Sequence, residues 1–593
     1  MISGLRSAPR HGRRLCVALA LLVPMAAAPV ASGSPPAGAL AGRGATVPAS
    51  QSAPPAPPRD QTLYTTGTSS EPPTNFNPLA ATSYTGTQGL LYEPLFLYDP
   101  LHQRFVPWLA TDGTWTTPTS YRLEVRDGVD WVSSATGAVT GRLSAADVAY
   151  GIKLAASSAS DPYHADLAGV RSVAVSGNAV TVDFAKPVGY AQWQEFLWHA
   201  PVLPSEIWQK LPTGGDFDNP VRSPVSTGPM LLYSTGQNGA CYRDNPHWWA
   251  TAQLRLSFTF GYLCDLVSSS SGTGLSDLLA DKVDWSNQLL RGIINLADSK
   301  GGGYDIKTYY AGPPYMIPAT TAWLQMDLAK APMDNPDFRL AAAYALDTKT
   351  IASTVYTGAV EPANPTGLLP ELSSYIDTSA VHKYGFYYSL SLAKRYLAKS
   401  GYNGAQLKLL VPYGFPDLSS AATLITQQLG KVGIHVSVSS VPAAARANDV
   451  ATGDYDMVIN DPVGLGSTPW SYFDTVYQLP IGPDEASGAN SERFSSPSDW
   501  ALVQEAGDTP LTDTAALDGI YANLEIDFLK ELPEIPLWYN GAWFQGNTKL
   551  WQGYPSSTSS SDSYTPVMWR GWLGATTTVL ALAAIKLSVS HGH

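Results

Sequence analysis

Few residues of this chain combine a reactive type with a spacing that chemistry could use, and each such set has a simpler explanation. Ser391 and Lys394 stand in the S-x-x-K spacing of a serine nucleophile assisted by lysine. The S-D-N and K-T-G elements that complete that machinery do not occur, and two residues at i and i+3 near a helix start account for the pair. Asp454 and Asp456 offer two carboxylates, the requirement for glycoside hydrolysis. The polarity of a surface segment explains them as well. The 9 histidines are scattered, and His591 and His593 lie at the end, so metal catalysis has little material. H-E-x-x-H, G-x-S-x-G, the phosphate-cradling P-loop and a G-x-G-x-x-G between strand and helix are all missing. The expectation is a protein that is not an enzyme, with no catalytic residue, no metal and no cofactor.

The cysteines carry one further piece of chemistry. Cys16 lies inside an apolar run near the start, directly after Arg14 and Leu15, whereas a lipid-modified cysteine needs a lipobox at the end of such a run. That leaves Cys241 and Cys264, an even pair flanking a helix or loop followed by a strand over residues 254–262. In an oxidising compartment a disulfide is expected; the alternative is two buried free thiols.

The elements that must position any binding residue are of mixed type. From Gln61 onward, short β-branched or aromatic runs alternate with helical stretches, the texture of α/β architecture. Residues 119–126 alternate with a period of two before an Asp127-Gly128 turn, and two runs around Gly177-Asn178 read as a hairpin. Residues 144–154 begin with a serine N-cap followed by apolar residues at helical spacing. Amphipathic helices are expected over 390–399 and 419–432, the second followed by a strand over 435–441.

A chain of 593 residues exceeds what one core organises, so two or more lobes are expected. A net charge of -13 disfavours nucleic acid as a partner. Only 14% of residues are charged, while 17 Trp and 31 Tyr are present, so aromatic and uncharged polar groups must take over much of the surface.

The two ends give the compartment. Residues 1–33 read as a secretory signal peptide, with Arg6, Arg10, Arg13 and Arg14 before an apolar run and small residues after it. Residues 34–58, rich in Pro and Ala, read as a linker. Export follows, to the periplasm, the cell surface or the medium, with no lipobox to hold the product. The apolar stretch 572–590 could be a C-terminal membrane anchor, but Lys586 and the run Thr576, Thr577, Thr578 argue for a closing β-strand of the fold.

Taken in order, a series of short segments resembles the extracytoplasmic solute-binding proteins of ABC importers, family 5, the oligopeptide- and dipeptide-binding type. Asn75-Phe-Asn-Pro78-Leu and Tyr92-Glu-Pro-Leu95-Phe look like that family's opening. Pro107-Trp-Leu-Ala110, Tyr121-Arg-Leu-Glu-Val-Arg126 and Leu143-Ser-Ala-Ala-Asp147-Val148 follow. Ser226-Thr-Gly228-Pro229, Asn245-Pro246-His-Trp248-Trp249 and Leu278-Leu-Ala-Asp-Lys-Val283-Asp284 continue the match. Asp337-Phe-Arg339, Leu392-Ala-Lys394, Gly453-Asp-Tyr-Asp456 and Leu532-Pro533-Glu-Ile-Pro536 extend it, so that the resemblance spans about residues 61–550.

The resemblance implies an α/β fold, a two-lobed periplasmic-binding-protein-like clamshell of the large type with an extra subdomain. Mapped here, lobe one is 59–103, 225–315 and 541–593, its inserted subdomain is 104–224, and lobe two is 316–540. The implied function is capture without chemistry: a monomer takes an oligopeptide into the inter-lobe cleft and delivers it to ABC transporter permease subunits. An oligosaccharide ligand is the alternative; a non-transport surface receptor or a secreted hydrolase follows. The implied ligand residues are Asp461, whose carboxylate would pair with a peptide α-amino group, and Trp470 and Tyr472, whose rings would stack on sugars. Asn77, Tyr84 and Gln88 in the opening loop would face the cleft from lobe one. Arg339 and Asp347 are expected to be structural.

Overall fold

The structure is a computed structural model; it describes residues 54–593 except 70, 81–82, 168, 188, 212–220, 269, 298–302, 462–463, 482–489, 560–563, 569–575 and 589–593. The expected signal peptide and most of the linker lie outside the described residues. Residues 54–58 carry no helix or strand before a short 3-10 turn over Arg59–Gln61.

Two large sheets form the two lobes of an α/β clamshell. The first has seven strands in the order Met230–Gly236, Gly239–Asp244, Tyr262–Leu266, Thr62–Thr66, Trp285–Ser286, Gln545–Asn547 and Ile306–Lys307. Its centre is parallel: Thr62–Thr66 runs with Tyr262–Leu266 on one side and Trp285–Ser286 on the other. The second has five, in the order Val436–Val441, Leu407–Pro412, Met457–Asn460, Ile317–Met326 and Glu534–Ala542. The chain passes between the sheets twice, after Lys307 and after Ala542. The two passages leave neighbouring strand pairs, because Ile306–Lys307 is paired with Gln545–Asn547 and Ile317–Met326 with Glu534–Ala542.

A four-stranded antiparallel sheet, Ala110–Thr117, Ser120–Val125, Ala179–Phe184 and Val170–Ser176, makes the inserted subdomain. The alternation of Ser120–Val125 puts Tyr121, Leu123 and Val125 inside. The hairpin of Val170–Ser176 and Ala179–Phe184 turns at Gly177, whose φ of +60° is a left-handed conformation that glycine adopts without a Cβ penalty. Helix Ala145–Ser157 starts where Ser144 predicts, and the Asp147 carboxylate accepts from the Ser144 N–H at 2.9 Å. Helices Leu390–Ser400 and Pro416–Gly430 flank the second lobe, the latter beginning earlier than its apolar spacing suggests because Pro416 occupies its first turn.

The short motifs of the first half meet at one buried carboxylate. Glu93, 1% exposed, accepts from the indole N–H of Trp108 at 2.9 Å, of Trp248 at 3.2 Å and of Trp249 at 3.1 Å, and from the Thr227 hydroxyl at 2.7 Å. Burial pushes its pKa up to about 7 against these four donors. Beside it, Gly228 lies so close to the backbone of Leu90 that a Cβ would fall 2.3 Å from that carbonyl oxygen, which only glycine tolerates. Asn245 closes the knot by donating to the Gly228 carbonyl at 2.8 Å.

Two expectations are corrected. The strand placed over 254–262 instead occupies Tyr262–Leu266; Trp249–Gln253 is a helix and 254–261 contain neither helix nor strand. The apolar tail is not a long closing strand. Thr578–Ala583 is helical, as its Leu and Ala content favours, and buries Val579, Ala581 and Leu582; the strand Lys586–Leu587 pairs with Trp551–Gln552, and Thr576 forms an isolated bridge to Tyr98. Among the described residues no helix is long and apolar enough to cross a membrane. Cys241 and Cys264 sit directly opposite each other on adjacent antiparallel strands and are joined by a disulfide.

Candidate functional site

A cavity of about 270 Å3 opens at the carboxyl ends of the parallel strands Leu407–Pro412 and Met457–Asn460. This is the edge at which open α/β sheets receive ligands, because the strands stop there while their following loops and helices diverge. The loop after Asn460 contributes Asp461. The turn after Pro412 contributes Phe415, 49% exposed, and Asp417 in the first turn of the helix Pro416–Gly430. Arg446 projects from the helix Ala443–Thr452, Asn540 lies near the end of the strand Glu534–Ala542, and Trp543 directly follows that strand.

Charge in the cavity is arranged as two carboxylates near one guanidinium. Asp461 accepts from Asn540 Nδ2 at 3.2 Å and Thr320 Oγ1 at 3.4 Å. The surrounding protein raises its carboxyl above the ordinary range, opposed by the positive charge of Arg446. Arg446 is anchored by donating to the Ile459 carbonyl at 2.9 Å and to Asn460 Oδ1 at 2.6 Å. Burial also raises Asp417, which accepts from the Tyr356 hydroxyl at 3.2 Å. At the rim, Arg291 of the first lobe donates to the Pro416 carbonyl at 2.7 Å and Ser420 Oγ at 2.8 Å, so both lobes contribute here. Among the described residues no serine, cysteine or histidine lines the cavity. The arrangement suits binding of a polar group flanked by the rings of Phe415 and Trp543.

Of the residues expected from sequence, Asp461 alone lines this cavity. Trp470 and Tyr472 do not form platforms there. Both are buried on the helix Trp470–Tyr477, where Tyr472 stacks on Trp323 with ring centroids 5.3 Å apart and donates its hydroxyl to the Thr366 carbonyl at 3.0 Å. Their apolar surface is taken up by the core of the second lobe. Asn77 and Tyr84 are buried in the opening loop: Asn77 Oδ1 accepts from the Leu79 N–H at 2.9 Å, and Tyr84 donates to the Asp265 carbonyl at 3.2 Å. Gln88, half-buried, donates to the Pro78 carbonyl at 3.0 Å. These three hold the loop's shape. Arg339 is buried and donates to the carbonyls of Met333, Glu531 and Leu532, and Asp347 caps the helix Thr348–Tyr356.

Phe415, Asp417, Arg446 and Trp543 escape the sequence reading. A signal for the first two is present: Phe415-Pro416-Asp417 follows the largely apolar strand Leu407–Pro412 after only Tyr413 and Gly414, a strand-to-helix junction of the kind that faces a ligand. Arg446 and Trp543 have no local mark.

Residues 104–481 match the family described as bacterial extracellular solute-binding proteins, family 5. The probable ABC transporter periplasmic-binding protein SapA of Escherichia coli K12 is 26% identical over 432 residues, covering 67% of this chain and 74% of that one. The peptide transport periplasmic protein SapA of Salmonella typhimurium is 25% identical over 431 residues, 67% of this chain and 73% of that one. Among solved structures, the periplasmic oligopeptide-binding protein of an oligopeptide ABC transporter from Thermotoga maritima, bound to mannohexaose, superposes with a TM-score of 0.82. It is 30% identical, covering 91% of this chain and 100% of that one. With more than half of its length matched and its two sheets, insertion and strand-end cavity arranged as described, the chain belongs to the family 5 extracellular solute-binding proteins.

Proposed function

We propose that the chain is the extracytoplasmic receptor of an ABC importer, capturing an oligopeptide between lobe one and lobe two and passing it to permease subunits. It works as an exported monomer and without catalysis. Lobe one comprises 59–103, 225–315 and 541–593, with 104–224 inserted, and lobe two comprises 316–540. The observation that carries the ligand class is Asp461 at the strand-end cavity. A peptide's α-ammonium taken out of water needs a paired carboxylate, and Asp461 offers one next to apolar ring surface from Phe415 and Trp543. Arg446 and Arg291 nearby can receive a carboxylate from the same ligand.

Contacts with both lobes favour one lobe arrangement over the other. To swing a two-state population from 1:99 to 99:1, the ligand must prefer the favoured state by about 5.5 kcal/mol. The resulting arrangement is what a permease would recognise.

A second reading, an oligosaccharide ligand, is favoured by the mannohexaose in the Thermotoga maritima relative and by the rings of Phe415, 49% exposed, and Trp543 at the cavity. Titration calorimetry with peptide and manno-oligosaccharide pools separates the two. The peptide reading expects a peptide to bind and Asp461→Asn to weaken it by about tenfold or more, the scale of a lost charge-assisted bond. Sugar binding that is indifferent to Asp461→Asn, with no peptide bound, overturns it.

A further inference from the structure

A larger cavity lies away from the strand-end site, at the seam between the inserted subdomain and lobe two. It measures about 690 Å3 and is bounded by the strand Ala110–Thr117, the helix Tyr190–His199 and the loop of Pro510, Leu511 and Thr512. No described residue lines both cavities. Its walls are aromatic. Trp115 meets Tyr190 at 4.6 Å and Tyr121 at 5.2 Å between ring centroids, and Tyr121 meets Trp193 at 5.3 Å. The side-chain polar groups of the lining are hydroxyls and one amide, from threonines such as Thr114 and Thr512 and from Gln194; among the described residues no charged one lines it.

Two polar atoms of this wall are buried without a hydrogen-bond partner among the described residues: the indole Nε1 of Trp193, a residue 1% exposed, and the amide Oε1 of Gln194. Buried polar groups in folded proteins are as a rule satisfied. The donor and the acceptor lie beneath the surface of a ligand-sized, aromatic cavity, so an occupant meets the ring faces first and pairs with these two atoms only when the Trp193 and Gln194 side chains turn toward it; a flat apolar body with one acceptor and one donor at its edge fits that wall. The absence of charge in the lining selects a neutral molecule, since an ion would be desolvated without a counter-charge.

We propose that this cavity is a second binding site, distinct from the cleft, for a small neutral aromatic molecule with an amide-like edge. Its occupant touches both the subdomain and lobe two. The same seam is crossed by the Gly189 N–H donating to Asp508 at 2.8 Å and by the Ser467 hydroxyl donating to Glu195 at 2.7 Å. Occupancy therefore braces the seam in the lobe arrangement that these two bonds also favour.

2-Naphthamide, which is neutral, bicyclic and carries one carbonyl and one amide N–H donor pair, is the probe. Saturable 1:1 binding is expected by titration of the full protein, weakened at least about fivefold by Trp193→Phe and by Gln194→Met and unchanged by Asp461→Asn. Gln194 is half-buried, so its methionine variant keeps the test valid if Trp193→Phe fails to fold. Hydrogen exchange is expected to slow in residues 190–199 and 497–508 on binding. Absence of saturable binding, insensitivity to the folded variants, loss with Asp461→Asn, or protection around 412–418 and 459–461 instead would each overturn the proposal.

Discussion

Ser467 of lobe two donates its hydroxyl to Oε1 of Glu195 in the inserted subdomain at 2.7 Å, joining positions 272 residues apart. Glu195 is buried, and the Trp198 indole N–H occupies its other oxygen at 2.9 Å. The bond can form only while lobe two rests against the subdomain, so it contributes to one lobe arrangement and not to others. Ser467→Ala is expected to weaken ligand capture by about fivefold, the effect of one hydrogen bond of about 1 kcal/mol. Calorimetric titration of both proteins with the same ligand checks this, and equal affinities would show that the bond does not bias the lobes.

Glu93 has a different role, as the acceptor at which four separate segments converge. Glu93→Gln replaces one acceptor oxygen with an NH2 that faces donors it cannot satisfy. A loss of about 1–3 kcal/mol in unfolding free energy is expected, the cost of leaving buried donors unpaired. Urea denaturation of the two proteins measures it; a variant as stable as the parent would mean the four donors rearrange freely.

The disulfide between Cys241 and Cys264 closes a loop with a sequence separation of 23. On the chain-entropy account such a loop contributes about 3 kcal/mol by restricting the unfolded state. Reduction, or the double substitution Cys241→Ser and Cys264→Ser, is expected to lower the thermal midpoint while leaving ligand affinity intact, because neither residue lines the cleft cavity. Scanning calorimetry with and without reductant provides the comparison.

Burial raises several carboxyls far above their ordinary values: Glu93, Asp474 and Glu525 to about 7 and Glu371 to about 8. The folded state therefore keeps protons that the unfolded state has released between the ordinary carboxylate range and pH 7 to 8. Stability from these groups is fully present at acidic pH and is lost as pH rises through the folded values. The thermal midpoint is expected to fall steadily between about pH 5 and about pH 9. A midpoint that rises across this window would contradict the protonated state of these buried groups.

Much of the local structure is legible in the sequence because it follows from short-range rules. The Ser144 cap, the period-two strand Ser120–Val125 and the Gly177 hairpin each depend on a few neighbouring residues. The tail misleads because apolar composition fits a strand or a helix equally. Its actual form, helix Thr578–Ala583, buries Val579 in the subdomain's core, a long-range contact.

Motif order identifies the family and its two-lobed fold before any coordinate is known, since each segment keeps its place in the chain. Burial belongs to the tertiary structure. Pro469-Trp470-Ser471-Tyr472 reads as an exposed aromatic loop, but Trp323 and Phe528 arrive from distant strands and helices to enclose Tyr472. Phe415, Arg446 and Trp543 meet Asp461 because strands far apart in the chain, Leu407–Pro412, Met457–Asn460 and Glu534–Ala542, share one sheet and end at the same edge of it. The sequence by itself determined the family, the fold class and the carboxylate at the end of one strand. Which rings surround that carboxylate, and which are spent on the core, depended on packing between residues far apart in the chain, and no local pattern encodes those distances.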